Sequence, residues 1–162
     1  MITQKRLHDL FEYREDGILV WKVSKGNVKK GDVAGWSQPL GYFRVRIEEK
    51  NYLVHRMIFL YHHGYLTPGM QIDHIDGNTS NNRIENLREV TLTQNQQNSK
   101  IPSDNTSGVK GVYWCKVQRK WRSRIKVKRK QIHLGYYKTL EEAEAVVKAA
   151  REKYHGEYAR HE

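Results

Sequence analysis

Apolar and polar positions divide the chain into a mixed first half and a more regular second half. Residues 3–13 place Leu7, Leu10 and Phe11 at helical spacing, with Thr3 ahead of them as a cap and Gly17 ending the run. Ile18 to Trp21 is a short apolar run that predicts a strand, and 31–41 are loop-rich. Residues 42–47 alternate strictly, which predicts a half-buried strand with Phe43, Val45 and Ile47 inward and Arg44 and Arg46 outward. A hairpin turn over 48–51 leads to Tyr52-Leu53-Val54. Residues 55–63 then predict a helix with Met57, Leu60 and Tyr61 on one face, stopped by Gly64. Trp21, Trp36, Phe43 and Phe59 are expected to pack in a core, and His62-His63 to form a solvated helix end.

Further along, 101–108 are rich in Pro, Ser and Gly and read as a linker between two domains. Three β runs follow at 109–116, 120–126 and 131–136, with turns near 118–119 and 128–129. A helix begins at Thr139, where Thr139 and Glu142 have the spacing of a capping box. Ala143, Val146, Val147 and Ala150 give it one apolar face to lay on a sheet, and Gly156 closes it. The fold class is therefore α+β.

Charge sharpens the division. The 162 residues carry a net +11, of which residues 1–100 hold +3 and 101–162 hold +8. Between Gly108 and Leu134 there are ten Lys and Arg and no acid. A polyanionic partner, most simply nucleic acid, fits this balance. Cys115 is the only cysteine, which excludes an internal disulfide and a cysteine-rich structural zinc site. The start, MITQKRLHDLF, is too polar for a signal peptide, and no apolar run reaches the roughly 20 residues a membrane span needs. An intracellular protein with neither a membrane partner nor a small-molecule cofactor is expected.

The densest chemistry lies in 71–98, QIDHIDGNTSNNRIENLREVTLTQNQQN. Asp73-His74 is followed by the turn-forming Asp76-Gly77-Asn78 and Asn81-Asn82. Then come Asn86, a short apolar run, and a helix opening near Thr93 as N-cap, with Asn95 in its first turn and Asn98 one turn on. Asp73 and His74 would point to opposite faces of a strand, so the pair belongs at a strand end where the chain turns. This stretch resembles the HNH endonuclease motif in the variant whose last histidine is asparagine. The likeness extends upstream through Tyr52-Leu53-Val54-His55-Arg56.

The resemblance implies a ββα-metal finger within a nuclease domain at 1–100: a strand to Asp73-His74, a loop, a strand near 88–91 and a helix over 93–100. It implies His74 as the general base and Asn86 as the residue that pins the loop, with a backbone carbonyl orienting the His74 ring. Asp73 and Asn95 would hold one Mg²⁺ (or Mn²⁺) per active site, with Asn98 as reserve ligand and His55 as a further candidate. The chemistry agrees. A neutral imidazole takes a proton from water near pH 7, and a hard ion bound by one carboxylate and one amide stabilises the charge on the phosphate.

The second half also carries a likeness. Lys110 to Trp114, Lys120 to Ile125, Ile132 to Tyr137, Thr139 to Ala143 and Gly156 to Ala159 closely resemble the APETALA2/ERF-type DNA-binding domain, a three-stranded antiparallel sheet backed by one helix, here 109–162. A β-ribbon can enter the major groove and offer alternate side chains to bases. Arg122 and Arg124 share a face with Lys120 and Lys126, and Lys116, Lys128, Arg129, Trp114 and Trp121 complete the expected DNA-binding set. One tryptophan should pack under the helix and the other face DNA; the pattern does not say which. The expected function is a metal-dependent endonuclease of double-stranded DNA, similar to homing endonucleases of mobile elements or phages, making a nick or a double-strand break. The alternative is a non-cutting DNA-binding regulator with an inactive finger.

Overall fold

The structure is a computed structural model that describes residues 2–98, 101–127, 130–159 and 161, without the side chains of Leu40 and Glu157. It is mixed α+β, with four small antiparallel sheets and four α-helices among the described residues. Contacts group the chain into two compact units, Met1–Thr91 and Leu92–Glu162. None of the described helices is long and apolar enough to cross a membrane.

The first unit opens with α1 (Gln4–Leu10), capped by Thr3 Oγ1, which accepts from Arg6 N at 3.2 Å. The helix is shorter than the 3–13 expected. Phe11 takes extended backbone and starts β1 (Phe11–Arg14), which pairs with β2 (Ile18–Trp21) in a hairpin. Phe11 and Tyr13, two apart, serve a strand as well as a helix end, and the cross-strand ladder decides between them. Next come β3 (Trp36–Ser37), β4 (Phe43–Ile47) and β5 (Lys50–Leu53), forming one sheet in the order β3-β4-β5. Val45 and Ile47 are buried and Arg44 and Arg46 exposed, as alternation requires. Trp36 corrects an expectation. It pairs with Arg44 on the outward face and is 44% exposed, because its place in the register, not its hydrophobicity, sets its direction.

Helix α2 (Val54–His63) is central to this unit. Val54, His55, Met57, Ile58, Phe59 and Leu60 are all buried, and the helix touches β4, β5, β6 and β7. Gly64, at φ 79°, terminates it in the left-handed conformation. Strands β6 (Gln71–His74) and β7 (Leu87–Val90) pair antiparallel, with Asp73 opposite Arg88 and His74 opposite Leu87. One core joins Leu7, Phe11, Leu19, Val45, Met57, Ile58, Ile72 and Leu87.

The second unit begins with α3 (Leu92–Gln97). Leu92 opens it, so Thr93 lies inside the first turn and is not the cap. Val90 ends β7, and a single residue, Thr91, separates strand from helix. The helix expected to reach 100 is described to Gln97; Ser99 and Lys100 lie outside the described residues. Within 101–108, Asn105 and Ser107 form a knot of hydrogen bonds, with Ser107 Oγ donating to Val112 O at 2.8 Å and Asn105 Nδ2 to Val109 O at 2.9 Å. A turn closed by Val112 N on Val109 O delays β8 to Val112–Cys115, later than the 109 expected.

Strands β8, β9 (Lys120–Val127) and β10 (Lys130–Tyr137) form an antiparallel sheet in the order β10-β9-β8, and α4 (Leu140–His155) lies on one face. The Thr139–Glu142 capping box is present in full. Val112, Ala143 and Val147 are fully buried between sheet and helix, and Ser123 Oγ ties the two by donating to Ala143 O at 2.9 Å.

Candidate active site and nucleic-acid face

His74 is the last residue of β6, and the chain turns at once: Gly77 N donates to His74 O at 2.9 Å. Strand alternation sends Asp73 and His74 to opposite faces. His74, 3% exposed, faces α2, where the ring of His55 stands edge-on with centroids 5.0 Å apart. Tyr42 closes a third side, its ring 5.6 Å from His55 and 6.2 Å from His74. On the other face Asp73, 8% exposed, receives Arg88 across the strand pair, with Nε and Nη2 each 3.2 Å from Oδ2.

The His74 ring is oriented by a residue the sequence reading missed. Asn82 Oδ1 lies 2.9 Å from Nε2, and Asn82 is 4% exposed. The acceptor at Nε2 is a side-chain amide. With the amide oxygen accepting, Nε2 carries a proton. The Asn81-Asn82 pair is visible in the sequence as turn material. Which of the two points inward follows only from the folded loop.

That loop is held in shape by Asn86. Its Oδ1 accepts from Asp76 N at 3.1 Å, and its Nδ2 donates to Asn81 O at 2.8 Å and to Asp76 Oδ1 at 3.0 Å. Asn86 therefore bonds a backbone N–H and a backbone C=O on the two sides of the loop. Asp76, although exposed, gathers the loop's hydrogen bonds. It also accepts from Asn78 N and from Asn81 Nδ2 at 2.7 Å. Burial raises its pKa, but hydrogen bonds from Asn81, Asn78 and Asn86, with His74 nearby, outweigh burial and hold it below the usual carboxylate value. The loop is braced from outside as well. Gly17, at φ 85°, approaches so closely that a Cβ there would lie 2.6 Å from Arg83 N and Asn82 C. On another side Gly41 O accepts from Ser80 Oγ at 3.1 Å, and Tyr13 Oη accepts from Ile84 N at 3.0 Å.

His55 sits in the first turn of α2, 4% exposed, with a buried Nδ1 that has no hydrogen-bond partner. Burial, then the nearby His74 and Arg56, push its pKa down to about 3, so the ring is neutral at working pH.

Among the described residues no three His, Cys, Asp or Glu side chains cluster as a metal cage. One carboxylate with amide oxygens fits a hard ion that keeps most of its waters and takes phosphate oxygens; it does not fit zinc. Asn95 is the fourth residue of α3, and Asn98, 7% exposed, follows the helix end. Both belong to the second unit, whereas Asp73 and His74 belong to the first.

In the second unit, register sorts the expected DNA-binding residues by face. Tyr113 pairs with Arg122 and Cys115 with Lys120, while Arg122, Arg124 and Lys126 lie opposite Tyr136, His133 and Gln131. These side chains share the face away from α4. The Arg124 guanidinium lies 4.2 Å over the Tyr113 ring, a cation–π contact that holds it extended along the sheet. Tyr113, Gln131, His133 and Tyr136 do not stand out in the sequence by residue type, although period-two alternation along β8 and β10 carries the signal. The two tryptophans pair with each other on the opposite, helix-side face, rings 5.1 Å apart. Trp121 packs against the core, while Trp114 is 45% exposed. Trp114 also lines a shallow surface pocket with Tyr113, Lys116, Arg122 and Arg124. Lys116 is exposed in the β8–β9 turn; Lys128 and Arg129 lie outside the described residues.

Residues 52–97 match the model of the HNH endonuclease family. Protein 3.8 of Escherichia phage T7 is 39% identical over 97 residues, which cover 60% of this chain and 79% of that protein. YosQ of Bacillus subtilis strain 168, named as an SPbeta prophage-derived putative HNH homing endonuclease, is 35% identical over 50% of this chain and 47% of its own length. A solved structure concerned with DNA binding and cleavage by the HNH homing endonuclease I-HmuI is 29% identical, with a TM-score of 0.42. That match covers 55% of this chain and 51% of the other. The chain belongs to the family of the T7 protein, and its residues 52–97 are an HNH endonuclease domain.

Proposed function

We propose that this protein is a metal-dependent endonuclease of double-stranded DNA, of the homing-endonuclease kind found in phages and mobile elements, acting inside the host cell. The observation that carries the reading is the His74 site: a buried imidazole with Nε2–H held by Asn82, on a loop fastened by Asn86 and Asp76. In this reading His74 takes a proton from a water. The water oxygen bonds to phosphorus in line with the leaving group, and the bond from phosphorus to the 3′ oxygen breaks. That oxygen takes a proton from solvent, leaving a 3′-hydroxyl and a 5′-phosphate. Asn86 fixes the loop, so the imidazole does not reorient as it becomes charged.

The chemistry a Mg²⁺ or Mn²⁺ ion supplies here is Lewis-acid stabilisation of the phosphate and the leaving oxygen. Asp73 is its proposed carboxylate ligand; Asn95, by its place in the motif, is the amide ligand, with Asn98 in reserve. The second unit is proposed as an APETALA2/ERF-type DNA-binding domain whose arginine face, Lys120, Arg122, Arg124 and Lys126, meets the duplex. Its sheet-and-helix topology and its charge support this.

One observation favours the second reading, a non-cutting regulator. Arg88 already occupies Asp73 Oδ2, where a cation would compete with it. A plasmid assay separates the two. Supercoiled DNA is incubated with wild-type protein or His74→Ala, each with Mg²⁺ and with EDTA. Relaxation or linearisation by wild type with metal alone supports the nuclease, and the product form reports one strand or two. DNA binding in a gel shift, with no cutting of plasmid or of host genomic DNA, supports the regulator.

A further inference from the structure

Within the second unit a cavity of about 260 Å³ is bounded by α3, the start of β8, β9 and the last turns of α4. Lys110, Arg124, Lys126 and Arg151 line it, and among the described residues no Asp or Glu does. Arg151 is the unusual member, because it is 2% exposed and has no carboxylate partner among the described residues. Its guanidinium donates to Lys110 O and lies 3.1 Å from Nδ1 of His161, a ring that burial and Arg151 itself keep neutral. The acids of α4 are engaged elsewhere: Glu142 caps the helix, Glu144 pairs with Lys148, and Glu152 faces His161. Burial pushes the Arg151 pKa below the ordinary guanidinium value, and no neighbouring charge offsets it. Buried charges in folded proteins are ordinarily paired; this one, in a wall of like charge, lacks its anion.

We propose that this cavity is a phosphate-binding site and that it takes one backbone phosphate of the DNA. The inference rests on the reading of the second unit as a DNA-binding domain. Two observations make DNA the occupant. Arg124 and Gln131 line the cavity and also belong to the sheet face turned away from α4, so the cavity adjoins the proposed DNA face. Arg124 is held there by the ring of Tyr113, itself a lining residue. A duplex seated on the arginine face brings its backbone to the rim. Lys110 and Lys126 are the groups that reach the phosphate: Lys110 is half-buried and fixed at α3, its Nζ donating to Gln97 O at 2.9 Å, and Lys126 is exposed. Arg151 stays where it is and adds charge from behind, where water screens it little. A water needs only about 15 Å³ of such space, so a phosphate group enters with several waters.

Lys110→Gln and Arg151→Gln each remove one charge and keep an amide donor, and Arg151→Lys restores the charge. The full chain is tested in two ways. In thermal unfolding, inorganic phosphate should raise the wild-type Tm above that in sodium chloride of equal ionic strength. K110Q and R151Q should lose that difference, and R151K should recover it, which a purely structural role for Arg151 would not produce. In gel-shift titrations with a DNA duplex, K110Q should lower the slope of log K against log salt by about 0.9, so the loss of affinity between about 50 and 200 mM salt shrinks about 3.5-fold. Should R151Q be unfolded, K110Q carries both measurements. Phosphate protection lost in K110Q with an unchanged DNA slope overturns DNA as the occupant and assigns the site to a free phosphate compound. Neither measurement altered in K110Q overturns the site, and a wild type that still shifts DNA keeps the reading of the second unit. A wild type that binds no duplex overturns both.

Discussion

Gly17 to Ala is a change remote in sequence from the motif that should reach its centre. Two penalties arise and can be separated. The first is conformational: at φ 85° an L-residue costs about 1–2 kcal/mol. The second is steric. The new Cβ would stand 2.6 Å from Arg83 N and Asn82 C, whereas ordinary contact begins at 3.4 Å, so the loop must retreat by about 0.8 Å. Asn82 holds His74 Nε2 at 2.9 Å, and a retreat of that size carries the bond past hydrogen-bonding range. Overpacking of this kind adds about 1–3 kcal/mol. Gly31→Ala is the control: Gly31 has φ 92° and nothing within 4 Å of where its Cβ would stand, so it suffers the first penalty alone. Urea unfolding should show G17A losing about 1–3 kcal/mol more than G31A, and cleavage should fall at least about tenfold in G17A only. Equal stability losses, or G17A cutting at the wild-type rate, would show that the hairpin does not brace the loop.

Other consequences can be measured separately. His55 has a folded pKa near 3 against an ordinary 6.5, so the unfolded chain binds the proton first as pH falls. Stability of the first unit should therefore fall between about pH 6.5 and 3, by up to about 1.4 kcal/mol per pH unit, and His55→Asn should flatten that slope in denaturant titrations. Arg122→Ala with Arg124→Ala should weaken DNA binding and lower the slope of log K against log salt by about 0.9 for each phosphate no longer neutralised; an unchanged gel-shift titration would place the DNA face elsewhere. The β4–β5 hairpin turns through Glu48 and Glu49, both at positive φ. Asn-Gly there should raise stability by about 1 kcal/mol, less whatever the exposed Arg6–Glu48 ion pair contributes, as thermal melting can read.

Much of this arrangement is written in period and punctuation. Strict alternation over 42–47 predicts β4 and its exposed arginines, Gly64 ends α2, and Thr139 with Glu142 starts α4. These features are local, and local sequence is enough to read them. Phe11 and Trp36 are misread because their fate is decided by a partner strand further along the chain. The tryptophan pair is undecidable from spacing alone until β8 and β9 are placed in register. At the site, His74, Asn86 and Asp73 stand out by residue type and interval. Asn82, Arg88 and Tyr42 do not, since each reaches the centre through a loop closure or a cross-strand neighbour.

The boundary between Thr91 and Leu92 bears on how such proteins could be rebuilt. The motif is continuous in sequence from His74 through Asn86 to Asn95, yet its first two residues fall in one compact unit and its last in the other. Under the proposed function, a chimera that exchanged whole units to give the first unit a new DNA-binding partner would carry Asn95 away with the discarded sheet. A working exchange has to keep α3 with the donor of His74 and join the halves beyond Asn98. By this reasoning the natural breakpoint for domain shuffling lies in the polar segment at 101–104, after the last motif residue and ahead of the hydrogen-bonded knot at Asn105.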